Sequence, residues 1–523
     1  MMATMKVALT VNDFLRRAEQ VYPHRVGVVD EPTQPAESWG EFTYGDMAMT
    51  ARAIAAGLDS LGIGQGERVA MVSHNSARLL TYLFGVSGSG RVLVPINFRL
   101  VAEEVKYIVA HCGARVLLVD PELEAEMAEV QCEHKFTIGA DADSALMRFD
   151  VEPRLWEYDE DATATINYTS GTTARPKGVQ LTHRNIWLNA TTFGWQLGIS
   201  DRDVYLHTLP QFHCNGWGVL YAVTGMGGKH IILRKVDGAE ILRRIDQHGV
   251  TVLCGAPAVA NAILDAAANW DGPIPGRDRV RMVCAGAPPP TKTIERMETE
   301  LGWEFIQIYG LTETTPLLTM NRQRAETDAL TPAERAAKLS RAGAPAIGVE
   351  VRISPDGEVL ARGNHIMGGY WEQPDATADA IHPASDAPDG PSWFHTGDGG
   401  FLDEDYYITI SDRKKDVIIS GGENVSSIEV EDVIFSHPEI AEVAVIGVPD
   451  EKWGELVMAL VVATPGSNLS EQDVIDYARS KLAHYKCPKR VEFRDVLART
   501  ATGKLQKFKL REPYWTGRDR LVN

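Results

Sequence analysis

The feature that most constrains this chain is a loop rich in glycine, serine and threonine, which joins two strand-like segments and ends in a lysine. Residues 168–178 are Tyr-Thr-Ser-Gly-Thr-Thr-Ala-Arg-Pro-Lys-Gly. Glycine lets backbone amides approach a ligand closely, and hydroxyl groups with one lysine charge suit a polyphosphate. A Walker A loop requires Gly-Lys-Ser/Thr running into a helix, whereas Pro176 precedes Lys177 here and residues 162–168 and 179–181 are typical of strands. The sequence therefore predicts a phosphate loop of a different kind.

Several residues of this loop are candidates for binding phosphate because each offers a hydroxyl, an open backbone or a charge. They are Thr169, Ser170, Gly171, Thr172, Thr173 and Lys177. Composition by itself favours a solvated surface loop, so this interpretation depends on the other motifs of the chain.

Length and composition limit the classes of protein that the chain can belong to. At 523 residues it exceeds what one hydrophobic core usually holds, so two or more domains are expected. A net charge of −19 argues against a nucleic-acid surface or a polybasic membrane patch. We find no signal-peptide pattern and no long uninterrupted apolar run, and six scattered cysteines are typical of reduced thiols. We therefore expect a cytoplasmic protein without a membrane span.

The first part of the chain alternates helical and strand patterns. Residues 43–58 suit an amphipathic helix, and residues 69–73, 92–96 and 116–119 are short apolar runs. Apolar runs between helices are typical of buried strands in α/β layers. We predict a large N-terminal multi-layer α/β domain.

Two further segments place chemically useful side chains at strand ends. Residues 304–316 form an apolar strand that delivers Tyr309 and then Glu313, an aromatic ring and a carboxylate suited to adenine and Mg²⁺. Residues 280–288 are a strand that enters a turn of small residues. His213 lies among aromatic residues, where a packed core histidine is the more common interpretation.

A charged connection at residues 411–416 separates two strand-like runs and predicts a domain boundary. Beyond it, Ser426 begins a capping-box pattern for a helix, residues 443–448 form a strand, and Ser470 begins a second helix that runs toward His484. We therefore predict a large domain of residues 1–411 and a small, mobile α/β domain of residues 412–523.

The motifs, taken in order, resemble those of the AMP-forming adenylating superfamily, which comprises acyl-CoA synthetases, nonribosomal adenylation domains and luciferases. The resemblance rests on the loop at 168–178, on Tyr-Gly-Leu-Thr-Glu at 309–313, on Thr-Gly-Asp at 396–398 and on Thr-Gly-Lys at 502–504. One departure is Ala174, where the family usually has glycine.

The resemblance implies roles for individual residues. Tyr309, Gly310 and the turn Gly286, Ala287, Pro288 would adjoin adenine, and Asp398 and Arg413 would contact the ribose. Thr312 would contact phosphate or the acyl carboxylate, Glu313 with Thr169 would hold Mg²⁺, and His213 would stand at the mouth of the carboxylate pocket. Lys415 would be the hinge pivot, Gly421 and Gly422 would line the approach of the thiol, and Lys504 would be the catalytic lysine.

These roles describe an ATP-dependent acyl-CoA synthetase of fatty acid metabolism. A carboxylate attacks the α-phosphate of ATP, pyrophosphate leaves, and the thiolate of coenzyme A then displaces AMP after the small domain rotates. Amino-acid-activating relatives carry an aspartate near His213. This chain has no acid between Gln211 and Trp217, so we expect a fatty acid of short to long chain.

Three alternatives stay open at this point. They are an enzyme that loads a carrier protein, a luciferase-like oxygenase, and a catalytically silent binding protein. Intact Lys177, Glu313, Asp398, Arg413 and Lys504 argue against the last. The sequence also leaves the oligomeric state open, and a homodimer is compatible with it.

Overall fold

The computed structural model describes residues 5–169, 175–413, 416–420, 423–450, 453–499 and 505–516, with Arg413 and Asn424 described by their backbones alone. The helices are α1 (Asn12–Val21), α2 (Tyr44–Ser60), α3 (Ala77–Tyr82), α4 (Ala102–Cys112), α5 (Ala140–Leu146), α6 (His183–Leu197), α7 (Val219–Met226), α8 (Gly238–His248), α9 (Pro257–Ala267), α10 (Thr291–Arg296), α11 (Pro332–Leu339), α12 (Pro374–Ala380), α13 (Ser427–Phe435), α14 (Glu471–Arg479) and α15 (Lys507–Trp515).

The strands are β1 (Val26–Val29), β2 (Glu41–Thr43), β3 (Arg68–Val72), β4 (Val92–Ile96), β5 (Ala114–Val119), β6 (His134–Thr137), β7 (Thr163–Thr169), β8 (Lys177–Thr182), β9 (Val204–Leu206), β10 (Lys229–Ile231), β11 (Val252–Gly255), β12 (Arg281–Cys284), β13 (Glu304–Gly310), β14 (Leu317–Asn321), β15 (Ala344–Pro345), β16 (Val349–Ile353), β17 (Glu358–Gly363), β18 (Gly369–Tyr370), β19 (Ile381–Pro383), β20 (Ser392–Leu402), β21 (Ile408–Arg413), β22 (Ile418–Ser420), β23 (Glu423–Val425), β24 (Ile440–Asp450), β25 (Gly454–Ala463) and β26 (Arg490–Phe493).

Two large mixed sheets form the body of the N-terminal domain. One has the order β15-β14-β13-β12-β11-β9-β10-β1-β2, and the run from β13 to β1 is parallel. The other has the order β18-β8-β7-β4-β3-β5-β6, and β7 and β8 form an antiparallel hairpin. Helices cover these sheets, as apolar strands buried on both faces require. The predicted α/β architecture is confirmed.

A third sheet, of β16, β17, β19, β20 and β21, is antiparallel and completes the large domain. A fourth sheet, of β22 to β26, belongs to the small domain, which has a core of its own around Val445, Val457 and Val474. The third sheet ends at Arg413 and the fourth begins at Ile418. The predicted boundary after residue 411 therefore falls inside the last strand of the third sheet.

Local signals in the sequence place several element ends. Thr43 caps α2 through a complete capping box with Asp46, close to the predicted start of that helix. Ser426 caps α13 by accepting from the backbone amide of Glu429. The carboxylate of Glu429 does not complete the predicted capping box, because it pairs with Lys486 at 2.7 Å instead. The local pattern therefore predicted the capping residue Ser426, whereas Lys486, distant in sequence, binds the carboxylate that would have completed the capping box.

The predicted end of one helix needs correction. The helix that Ser470 caps ends at Arg479, so α14 does not continue toward His484. Residues 322–345 contain α11, a surface helix whose apolar face buries Ala336 and Leu339 in the core of the first sheet. In the described parts of the chain, no helix is long and apolar enough to cross a membrane.

Candidate active site

The predicted phosphate loop joins the two strands of a hairpin. Thr169 is the last residue of β7 and lies directly opposite Lys177, the first residue of β8. The loop is therefore of strand–loop–strand type, as the sequence predicted. Ser170, Gly171, Thr172 and Thr173, and the departing Ala174, lie outside the described residues, so their phosphate contacts stay predictions.

Lys177 and Glu313 are brought together by a tyrosine that the sequence analysis missed. The ammonium of Lys177 lies 4.7 Å from the ring centroid of Tyr370, and the Tyr370 hydroxyl donates to Oε1 of Glu313 at 2.9 Å. Burial and the charge of Glu313 raise the pKa of Tyr370 well above 10, so the hydroxyl remains a donor. Thr169, Lys177, Tyr370 and Glu313 thus form one contiguous set, which we call the phosphate cluster.

Tyr370 was missed because its position depends on a pairing between distant segments. It lies on the short strand β18, which pairs with β8 at the edge of the second sheet. The backbone carbonyl of Glu313 also accepts from the amide of Met367, close to that strand. A Gly-Tyr-Trp sequence at 369–371 is the only local signal, and it carries no information about Glu313.

Tyr309 and Asp398 meet where the first and third sheets approach each other. The Tyr309 hydroxyl donates to Oδ2 of Asp398 at 2.7 Å, and Asp398 is only 5% exposed. Asp398 lies across β20 and β21 from Arg413. One carboxylate oxygen of Asp398 therefore already accepts a hydrogen bond from Tyr309, the residue that is predicted to adjoin adenine. The roles of Tyr309, Asp398 and Arg413 toward adenine and ribose stay predictions.

The backbone next to Tyr309 leaves no space for a side chain at position 310. A Cβ atom on Gly310 would lie 1.5 Å from the carbonyl oxygen of Pro316, so glycine is required there. Gly286, Ala287 and Pro288 follow β12, the parallel neighbour of β13, and Gly286 has a φ of 94°. Since parallel strands end at one edge of a sheet, this turn lies beside Tyr309, where ligands bind in open α/β sheets.

Thr312 and Glu313 lie in a short 3₁₀ turn, Thr312–Thr314, directly after β13. The Thr312 carbonyl oxygen lies 3.9 Å from Sγ of Cys214. His213, the neighbour of Cys214, is thereby close to the end of the strand that carries Tyr309. The structure brings three of the four predicted catalytic residues, His213, Thr312 and Glu313, into one region.

The segment after His213 has an unusual backbone. Cys214, Asn215, Gly216 and Trp217 have φ values of 40°, 44°, 55° and 59°, and Gly218 continues the series at 82°. For residues other than glycine this left-handed conformation costs roughly 1–2 kcal/mol each, and it persists where the surroundings enforce it. We call Cys214 to Gly218 the left-handed turn.

The fourth predicted catalytic residue, Lys504, lies outside the described residues, as do Lys415, Gly421 and Gly422. Their assigned roles therefore stay predictions.

The described residues around the hinge form a charged set in which Asp412 and Ser427 are buried and Glu431 and Lys507 are mostly buried. Asp412 accepts from the amide of Ser427 at 3.0 Å and also from its hydroxyl. Lys507 donates to the same hydroxyl and pairs with Glu431 at 2.8 Å. We call Asp412, Ser427, Glu431 and Lys507 the hinge cluster.

A further contact between the two domains joins α13 to α10. Asp432, on α13 of the small domain, accepts from the amide of Thr291 at 2.8 Å and from its hydroxyl at 2.9 Å. Thr291 is the first residue of α10 and follows the turn at Gly286. One of the contacts between the domains therefore lies shortly after the turn that is predicted to adjoin adenine.

The phosphate cluster suits Mg²⁺ bound together with a nucleotide. Mg²⁺ usually takes one or two carboxylates and completes its octahedral shell with phosphates and water. Glu313 supplies a carboxylate held by Tyr370, and Thr169 lies at the neighbouring strand end. Among the described residues there is no group of three or more histidine, cysteine, aspartate or glutamate side chains that would form an all-protein metal site.

The comparisons with known proteins agree with this geometry. The family model described as AMP-binding enzyme matches residues 15–371, and the model of the AMP-binding enzyme C-terminal domain matches residues 429–504. A 2-methylpropanoate–CoA ligase from Humulus lupulus is 35% identical over 96% of this chain and 95% of its own length. A 4-hydroxybutyrate–CoA ligase from Metallosphaera sedula is 35% identical over 95% of this chain and 93% of its own.

Solved structures give the same result for the fold. ATP-bound MatB from Rhodopseudomonas palustris has a TM-score of 0.82 at 28% identity, and the match covers 97% of this chain and 99% of that protein. Family models that together cover both domains, and relatives aligned over nearly the whole length, show the family. The chain therefore belongs to the AMP-binding family of adenylate-forming enzymes, and it is an acyl-CoA ligase, joining an acid to a thiol.

Proposed function

We propose that the enzyme activates a short-chain aliphatic carboxylic acid of about four carbons, using ATP and Mg²⁺, and transfers the acyl group to coenzyme A. The site has a phosphate side, which carries Thr312 and the phosphate cluster, and an acid side, which carries His213 and the left-handed turn. The observation that carries this proposal is the contact between the two sides, where Sγ of Cys214 lies 3.9 Å from the carbonyl oxygen of Thr312. A nucleotide and a carboxylate bound on the two sides would therefore be neighbours.

The acid side suits a substrate that is uncharged beyond its carboxylate. Cys214 and Trp217 are 3% and 4% exposed and belong to the main hydrophobic core. No carboxylate lies between Gln211 and Trp217 to hold a substrate ammonium group. The two relatives named above are ligases for 2-methylpropanoate and 4-hydroxybutyrate, which are both four-carbon acids, and this supports the short-chain assignment.

The protein has little covalent work to do in this reaction. The substrate carboxylate is already the nucleophile, so the residues position it in line with the α-phosphate and balance phosphate charge. Lys177 contributes a positive charge at the end of the hairpin, and Tyr370 fixes the orientation of Glu313. When bound, Mg²⁺ supplies further positive charge to the phosphates, and Thr169 and Glu313 would hold it.

The test is AMP release from ATP across a panel of acids, with and without coenzyme A, followed by mass spectrometry of the thioester. The panel contains propionate, butyrate, 2-methylpropanoate, 4-hydroxybutyrate, hexanoate, palmitate, benzoate and alanine. We expect AMP release that requires coenzyme A and is greatest for the four-carbon acids. The Glu313→Gln variant is the control for background hydrolysis.

Other outcomes would overturn specific parts of the proposal. Greatest activity with palmitate or benzoate would remove the short-chain assignment. Pyrophosphate exchange that does not respond to coenzyme A would favour loading of a carrier protein. Equal rates with and without added Mg²⁺ after chelation would remove the metal from the assignment.

A further inference from the structure

The left-handed turn is strained, and the structure shows what keeps it in place. The turn contains three residues other than glycine, Cys214, Asn215 and Trp217, and asparagine alone among them tolerates positive φ readily. A conformation of this kind persists only if neighbouring groups enforce it. The groups that do so here are buried amides from β7, from α6 and from the turn itself.

A closed set of hydrogen bonds connects the turn to β7. Asn167 donates to the carbonyl of Phe212 at 3.0 Å and to the side-chain oxygen of Asn215 at 3.3 Å. Asn215 donates to the hydroxyl of Thr165 at 2.9 Å, and that hydroxyl donates to Asn167 at 2.9 Å. Thr165 and Asn167 lie on the strand that ends at Thr169, where the phosphate loop begins.

A third asparagine connects the other end of the turn to β14. Asn189, on α6, donates to the carbonyl of Trp217 at 3.1 Å and accepts from the amide of Leu317 at 3.2 Å. A Cβ atom on Gly218 would lie 2.3 Å from its amide nitrogen, so this approach requires glycine. Asn167, Asn189 and Asn215 are at most 3% exposed, and we call them the asparagine clamp.

We propose that the asparagine clamp consists of positioning residues that keep the turn left-handed and so determine which acids the enzyme accepts. The turn follows His213 and contacts Thr312 through Cys214, so its backbone sets the wall of the acid side. The clamp bonds to β7 and β14 but has no side chain in the phosphate cluster. Loss of the clamp therefore relaxes the acid side and leaves the nucleotide side in place. This inference rests on the proposed function.

The first test compares Asn189→Ala with Asn321→Ala. Asn321 is a matched control because it is 2% exposed, lies on β14, and donates to the carbonyls of Lys338 and Arg341 at 2.9 and 2.8 Å. Both variants lose a buried asparagine with two backbone partners, but only Asn189 belongs to the clamp.

We expect Asn189→Ala to raise KM for the preferred acid by about tenfold or more while KM for ATP changes less than about twofold. The preference for that acid over one longer by two carbons should fall by about fivefold or more. Asn321→Ala should lose thermal stability without changing this preference. Equal changes in both variants, or an unchanged preference in folded Asn189→Ala, would overturn the proposal.

A second variant and a second measurement distinguish loss of the asparagine clamp from a general loss of folding. Asn215→Gly keeps positive φ accessible but removes both clamp bonds, so it should repeat the loss of acid preference with less effect on folding. Hydrogen exchange of residues 213–218 should speed up in Asn189→Ala and Asn215→Gly and not in Asn321→Ala. Hydrogen exchange is measured without substrate, so unchanged exchange in both clamp variants would overturn the role of the asparagine clamp. A wild-type protein that is inactive on every acid would overturn only the proposed function.

Discussion

In the large domain, Glu313 and the left-handed turn are held by neutral partners, whereas in the hinge cluster Glu431 is held by an opposite charge. Glu313 accepts from a tyrosine hydroxyl, and the left-handed turn is held by three asparagines. Glu431 instead pairs with Lys507, which also reaches the serine bound by Asp412. The hinge cluster spans the two domains, because Asp412 lies on β21 and its other members lie on α13 and α15.

The difference has a physical reason. Neutral donors fix the orientation of a group without cancelling its charge, which a site that binds a metal and phosphates requires. When one partner of a buried ion pair is removed, the other charge is left uncompensated, and the loss of folding stability is large. We therefore expect the large-domain contacts to affect kinetics and the hinge cluster to affect stability.

The largest expected effect comes from Lys507→Met, which leaves the mostly buried Glu431 without the charge of Lys507. Removing one partner of a buried pair costs about 3–5 kcal/mol, so the small domain should unfold at a clearly lower urea concentration. Lys509→Met, at an exposed position on the same helix, is the control and should behave as wild type. The double variant Glu431→Leu with Lys507→Met should recover much of the loss. A single variant as stable as the control would break the comparison.

Tyr370→Phe should have the next largest effect, on catalysis and not on folding. It removes the hydroxyl that orients Glu313 but keeps the ring beside Lys177. A hydrogen bond to a charged group is worth about 1.5–3 kcal/mol, so kcat/KM for MgATP should fall by about tenfold or more. The measurement is AMP release as a function of Mg²⁺ at saturating acid. A fall caused by KM for the acid alone would contradict this role.

The pH dependence of unfolding gives a second test of the hinge cluster. Burial alone would lower the pKa of Lys507, but Glu431 and Asp412 outweigh it, and the pKa is raised above 10.5 in the folded protein. Its stabilisation is therefore complete below pH 10.5 and is lost as pH rises through the folded value. The small domain should lose stability in alkali, and Lys507→Met should lack this loss. The same alkaline dependence in the variant would assign it to another group.

The smallest expected effect concerns the contact between the domains. Asp432→Ala removes the acceptor of the Thr291 amide and hydroxyl. One hydrogen bond at a partly exposed site is worth about 1 kcal/mol, so exchange of the Thr291 amide should speed up by about fivefold. Asp476→Ala, on α14 and away from this contact, should leave the exchange unchanged. An unchanged Thr291 amide in Asp432→Ala would mean that the contact is not populated in solution.

Much of the fold could be predicted because its signals are local. Apolar runs gave β3, β4 and β5, an amphipathic pattern gave α2, and Ser426 and Ser470 gave the starts of α13 and α14. The hairpin around the phosphate loop followed from strand-like flanks on both sides of Lys177. Where local signals were weak, as at the end of α14, the prediction was wrong.

The sequence by itself placed Tyr309 at the end of a strand with Glu313 shortly after it, and it placed Thr169 and Lys177 in a loop between two strands. Only the tertiary structure decided their partners, because Tyr370 reaches Glu313 across 57 positions and Tyr309 reaches Asp398 across 89. The left-handed turn was equally hidden, since its conformation is enforced by Asn167 and Asn189 from other elements. The hydrophobic periodicity of a segment indicates the backbone conformation of that segment. The hydrogen-bond partner of a side chain depends instead on how elements distant in sequence pack together.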